Sequence, residues 1–151
     1  MKIGLIAMSG VRVHNPELAA LGVSLPQFLS RGKVIASLPS LGLLTVAGLT
    51  PREHDVQYRE VAELPPADQE LERFDLVGIS SFTAQIGEAY ALADRYRALG
   101  VPVVLGGLHV SLLPAEAAQH ADAIVVNGAE GAWPRLLQDF QASRLQPRYE
   151  G

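Results

Sequence analysis

A chain of 151 residues with 48% hydrophobic and 19% charged residues has the composition of one globular domain and lies far from that of a disordered segment. The net charge of −4, without any Lys/Arg cluster, argues against a nucleic-acid partner, and the absence of cysteine excludes disulfides, thiolate nucleophiles and cysteine-ligated zinc or iron–sulfur centres in this chain. The longest apolar run, Leu41–Leu49, is too short to span a bilayer, and the opening MKIGLIAMSG reads as a first strand rather than a signal peptide; a single cytoplasmic domain over residues 1–151 with no membrane partner is the expectation.

Ile3–Met8 is the first of several short runs that are apolar on both faces, the pattern of a parallel strand covered by helices. Ser9–Pro39 is too long for a plain connection and is expected to be an ordered insertion with short helices. Leu41–Leu49 is apolar nearly all round, which predicts a well-buried helix. Asp55–Tyr58 is a weaker second strand, Glu63–Pro66 a surface turn, and Leu76–Ser80 the third strand. Gln85–Leu99 predicts a helix with Ile86, Ala89, Tyr90, Ala93, Tyr96 and Leu99 on its apolar face, stopped by Gly100. Val101–Leu105 and Ala123–Val126 are the fourth and fifth strands. Pro114 opens a short helix over Ala115–His120, and Trp133, Leu136, Leu137 and Phe140 form the stripe of a last helix with Pro134 in its first turn. This alternation predicts an α/β, flavodoxin-like (Rossmann-like), doubly wound parallel sheet of five strands in the order 2-1-3-4-5.

Ligands of such sheets bind beyond the carboxyl ends of the strands. That rule selects Ser9–His14, Ser80–Gln85, Gly106–Ser111 and Asn127–Gly131, all with the small, polar or glycine residues that let a ligand approach backbone. Gly106-Gly107 either opens a groove for a bulky ligand or only makes a tight turn. If the groove reading holds, a side chain at Gly107 blocks binding and spares the fold. Glu130 serves either the ligand or the dipole of the following helix. Neither G-x-G-x-x-G nor a P-loop is present, nor the G-x-S-x-G elbow of a hydrolase, and no Asp follows the first strand as in a phospho-receiver. His14, His54, His109 and His120 have no metal-ligand spacing; His14 and His109 fall on the ligand edge, while His54 and His120 are expected to be solvated on the opposite side.

Four stretches together resemble a known family: Pro39–Leu44 opening the first crossover helix, Asp75–Thr83, Val101–Pro114 and Ala121–Gly131, followed by Trp133-Pro134 and Arg144–Gly151. Essentially the whole chain is similar to the amino-terminal cobalamin (vitamin B12)-binding domain of cobalamin-dependent radical S-adenosylmethionine enzymes. The resemblance implies that the Ser80 hydroxyl, in Ser80-x-Phe82, contacts the nucleotide tail of cobalamin, and that Gly106-Gly107 leaves room for that tail. It points to a cofactor-binding set of Ser9, Gly10, Ser80, Ser81, Phe82, Thr83, Gly106, Gly107, His109, Asn127, Gly128 and Glu130, with no catalytic residue. The Asp-x-His-x-x-Gly loop of the mutases and methionine synthases is replaced by Gly10–Glu17, with Arg12 in place of Asp and no glycine three after His14. The implied cobalamin therefore has no protein histidine as axial ligand. The cluster-binding cysteines are absent too, so the iron–sulfur cluster and S-adenosylmethionine would belong to a catalytic barrel that this chain lacks and that would be its partner domain. The expected function is thus a cobalamin-binding module, not catalytic by itself. The alternatives are a degenerate domain acting as scaffold or interaction surface without cofactor, and an independent flavodoxin-like nucleotide or flavin binder, against which the missing phosphate loops count.

Overall fold

A computed structural model describes residues 1–8 and 39–151. The expected insertion, Ser9, Gly10 and His14 lie outside the described residues. Among the described residues six strands form one parallel sheet: β1 (Lys2–Met8), β2 (Asp55–Val61), β3 (Leu76–Ser81), β4 (Val103–Gly106), β5 (Ala123–Val126) and β6 (Arg148–Glu150), in the order β2-β1-β3-β4-β5-β6. The first five stand as 2-1-3-4-5, and the sequence expectation is extended by one edge strand. β6 places Tyr149 opposite Val125, buries it, and ties the Tyr149 hydroxyl to Asp139 at 3.1 Å. Beyond it the Gly151 N–H donates to the Val126 carbonyl at 3.3 Å, and Gly151 sits hard against the Gly128 carbonyl.

The period of two along each strand sorts side chains into two layers. Ile6, Met8, Val77, Ile79, Val103, Leu105, Ile124 and Val126 pack on α2 (Ile86–Ala98) and on the short α3 (Leu108–Leu112) and α4 (Pro114–Ala117). Ile3, Leu5, Leu76, Val104, Ala123 and Val125 face α1 (Leu41–Leu49) and α5 (Ala132–Gln141). Ser40 caps α1, accepting the Leu43 N–H at 3.4 Å. Pro134 sits in the first turn of α5, where its missing N–H costs nothing. Gly100, at φ +74°, ends the α2 segment.

Two helices differ from expectation. α1 is not well buried: only Leu43 and Val46 are, and Leu41 is 78% exposed. An apolar circumference therefore meets core on one side only. On α2, Leu92 is buried where Leu99 was expected, and Leu99, the residue that caps the helix, is 41% exposed. Among the described residues no helix is long and apolar enough to cross a membrane.

Candidate cofactor site

The α1/α5 layer does not close against the carboxyl half of the sheet. A cavity of about 550 Å3 lies there, within the roughly 300–1,000 Å3 usual for small-molecule sites. Its existence follows from strand register. On the face turned to α1 and α5, β3 carries Gly78 and Ser80 above Leu76, and β4 carries Gly106 above Val104. Gly106 at its inward position leaves space that a branched side chain fills lower down, whereas Gly78 lets Leu5 pack close over the strand. A Cβ on Gly78 would come within 3.1 Å of Leu5 Cδ2 and 3.9 Å of Trp133 Cη2. On Gly106 it would meet Val125 at 3.8 Å, an ordinary contact made from inside the cavity. Gly42, Leu43 and Val46 of α1 form one wall, and Ala129, Glu130 and Trp133 the other.

The interior is graded. Leu5, Val46, Val104, Val125 and Trp133 make an apolar floor. The Trp133 indole N–H, buried, donates to Thr50 Oγ1 at 2.9 Å, and that hydroxyl in turn donates to the Val46 carbonyl at 2.8 Å. Polar groups gather at the mouth, on residues at or beyond the strand ends: Ser80, Ser111, Asn127 and Glu130. Ser111 is already engaged, donating to the Gly107 carbonyl at 3.0 Å and accepting the Asn127 N–H at 2.9 Å. Asn127 holds φ +68°, a left-handed conformation that asparagine tolerates better than most residues.

Of the residues singled out from sequence, Ser80, Gly106, Gly107, Asn127, Gly128 and Glu130 are brought together on this cavity. Ser81, Phe82, Thr83 and His109 are not among its lining. Ser81 is buried on the opposite sheet face and donates to the Phe82 carbonyl at 3.0 Å; Phe82 is exposed at the sheet edge. His109, 6% exposed, enters the α2 layer, with Nδ1 3.1 Å from Thr83 Oγ1 and Nε2 3.3 Å from Glu116 Oε1. A carboxylate only accepts, so Nε2 carries the proton and, in the neutral ring, Nδ1 accepts from the threonine hydroxyl. The hydrogen bond from His109 and then the nearby Tyr90 hydroxyl hold the Glu116 carboxyl below its ordinary range. Burial and Glu116 push Tyr90 up to about 12.

Gly107 takes φ +108° and ψ −176°, and a Cβ there would lie 2.8 Å from Ser80 Oγ. The backbone itself demands glycine, so a side chain at this position does not spare the fold as the groove reading required. Helix α3 follows directly where an open loop was expected, and its Leu108 and Leu112 join the cavity wall. Neither His54 nor His120 is simply solvated: His54 is half-buried beside Gln141, and His120 stacks on Tyr90 at 4.3 Å and bonds Asp94 at 2.9 Å. Among the described residues no group of three or more His, Asp or Glu could hold a metal ion.

Sequence reasoning missed the inner cavity: Leu5, Gly42, Val46, Gly78 and Trp133. The usable signal was Gly78, a glycine inside an otherwise apolar strand, which marks a close approach or a space kept open.

The sequence model of the B12 binding domain matches residues 31–137. Two curated relatives are similar to the chain, both from Chlorobaculum tepidum. Bacteriochlorophyllide d C-8(2)-methyltransferase is 42% identical over 111 residues, covering 74% of this chain and 24% of the relative. Bacteriochlorophyllide d C-12(1)-methyltransferase is 30% identical over 114 residues, covering 76% and 25%. The chain thus spans about a quarter of the length of these relatives. No solved structure matches significantly.

Proposed function

The chain belongs to the B12-binding domain family, and from that premise we propose that it is the cobalamin-holding module of a methyltransferase of the radical S-adenosylmethionine class, with no chemistry of its own. The observation that carries this reading is the cavity: an apolar slot between sheet and helices, opening at the carboxyl edge, kept clear by the missing side chain of Gly106 and rimmed by hydrogen-bonding groups. Its size and grading suit the nucleotide tail of cobalamin, a flat base followed by ribose and phosphate. When bound, cobalamin supplies a carrier for a methyl group. The methyltransferase names of both relatives support methyl transfer as the chemistry of the whole protein. The other requirements of that chemistry, an iron–sulfur cluster and S-adenosylmethionine, fall to a partner barrel domain.

In this assignment the floor residues Leu5, Val46, Val104 and Trp133 take the base out of water. The Ser80 hydroxyl, which makes no hydrogen bond among the described residues, is free to donate to the tail at the mouth. The Asn127 side chain and the amide groups of residues 129–131 face the ribose-phosphate portion, the Asn127 and Gly128 N–H groups being taken by Ser111 Oγ and the Val126 carbonyl. His109 binds nothing directly: with its ring held by Thr83 and Glu116 on the far side of α3, it fixes that helix and so the wall formed by Leu108 and Leu112.

The test is a titration of the purified chain with hydroxocobalamin, followed by desalting and a visible spectrum. About one equivalent of corrinoid retained is expected. A colourless protein that remains folded refutes cofactor binding and leaves a scaffold role.

A further inference from the structure

We propose that the floor of this cavity makes the chain selective for corrinoids whose lower base is a benzimidazole over those whose lower base is a purine. The inference rests on the assignment of the cavity to the nucleotide tail and goes on to name which tail it takes.

Depth decides the argument. Two residues along a strand move about 7 Å, so a base passing Ser80 and Gly106 at the mouth reaches Gly78 and Val104 with its outer edge. At that depth the surroundings are Leu5, Val46, Val104, Val125 and the Trp133 ring. The single polar atom these side chains possess is the indole nitrogen, and its hydrogen is committed to Thr50. Cη2, a carbon of the six-membered ring, is the Trp133 atom nearest the place where a Gly78 Cβ would stand, and Thr50 itself does not line the cavity. Among the described residues, the side chains of the floor therefore offer neither donor nor acceptor. A dimethylbenzimidazole presents methyl groups and C–H edges there and loses nothing. An adenine attached in the same way presents two further ring nitrogens and an exocyclic amino group, all of which leave water without a partner. An apolar pocket discriminates against such polar additions by a moderate factor, on the order of 10–100-fold, rather than absolutely.

Three corrinoids separate the possible outcomes: cobalamin, the same corrinoid with an adenine lower base, and cobinamide, which lacks the tail. Each is titrated into the chain, with binding followed by the visible spectrum and by quenching of Trp133, the only tryptophan. Cobalamin is expected to bind at least about tenfold more tightly than the adenine form, equivalent to about 1.4 kcal/mol, and cobinamide most weakly. Equal affinity for the two tailed corrinoids, both above cobinamide, overturns the selectivity and leaves the cavity assignment standing. Cobinamide binding as well as cobalamin overturns the cavity assignment itself. Val104→Thr, nearly isosteric, places a hydroxyl in the floor and should narrow the preference by about threefold or more; an unchanged ratio in a folded variant refutes the role given to the floor.

Discussion

Gly106 and Gly107 are adjacent, both border the cavity, and should respond in opposite ways to one added methyl group. At Gly107 the φ of +108° strains any L-residue, and the new Cβ would press on Ser80 Oγ at 2.8 Å and the Ser81 carbonyl at 3.4 Å. A non-glycine residue held in such a region costs of order 1–3 kcal/mol, which for a domain of this size lowers the melting temperature by about 2–12 °C. At Gly106 the backbone is ordinary strand and the Cβ finds Val125 at 3.8 Å. Alanine there also restricts the unfolded chain, a contribution of about 0.4–1 kcal/mol in favour of the folded state. Thermal unfolding without ligand, followed by circular dichroism, should show Gly107→Ala melting early and Gly106→Ala melting within about 4 °C of the parent or above it. Corrinoid titration should rank the folded variants differently. The Gly106→Ala methyl stands inside the cavity, and overpacking of roughly 1–3 kcal/mol weakens binding about fivefold or more. Equal melting of the Gly107→Ala variant and the parent, or earlier melting of Gly106→Ala than of Gly107→Ala, would refute the division of roles.

Thr50→Val leaves the buried Trp133 N–H unpaired; a loss of about 1–3 kcal/mol is expected, read as a lower denaturation midpoint with unchanged slope. Ser80→Ala should weaken cobalamin binding by about 0.5–1.5 kcal/mol, a factor of roughly 2–10, without altering the melt. Because His109 depresses the Glu116 carboxyl, its ionised form favours the folded state above the unfolded value near 4.5, and that contribution is lost as pH falls through the lowered folded value. Glu116→Gln should therefore melt below the parent at pH 7, with the difference shrinking as pH falls below the unfolded value; a difference that stays constant on acidification would sink the pairing. All four tyrosines, Tyr58, Tyr90, Tyr96 and Tyr149, are raised above 10.0, chiefly by burial. The unfolded chain then releases phenolic protons first, so stability should fall as pH rises past 10, and phenolate absorbance should grow together with unfolding.

How much of this the sequence revealed depended on how far apart the determining residues lie. The continuous apolar runs at Ile3–Met8, Leu76–Ser80 and Ala123–Val126 are local signals, and they located the strands and the ligand edge directly. β6 is three residues long with only Tyr149 apolar, and its pairing with β5 and its tie to Asp139 are tertiary facts. α1 reads as buried because hydropathy counts residues and cannot tell which side of a helix finds a neighbour. The mouth of the site, with Ser80, Gly106 and Asn127, follows from one topological rule. The floor does not: Leu5, Gly78, Val104 and Trp133 come from four elements, and only their register on one sheet face makes a cavity of them.

The last strand has a practical consequence. Because β6 runs parallel to β5, it delivers Gly151 to the edge where the cavity opens, against the backbone of Gly128, whereas Met1 lies at the opposite edge, at the start of β1. A purification tag, fluorophore or surface tether joined at Gly151 would stand over the mouth and compete with whatever enters. The same attachment at Met1 would leave the entrance clear, so the two immobilised forms should differ in apparent corrinoid capture even though their sequences between the tethers are identical.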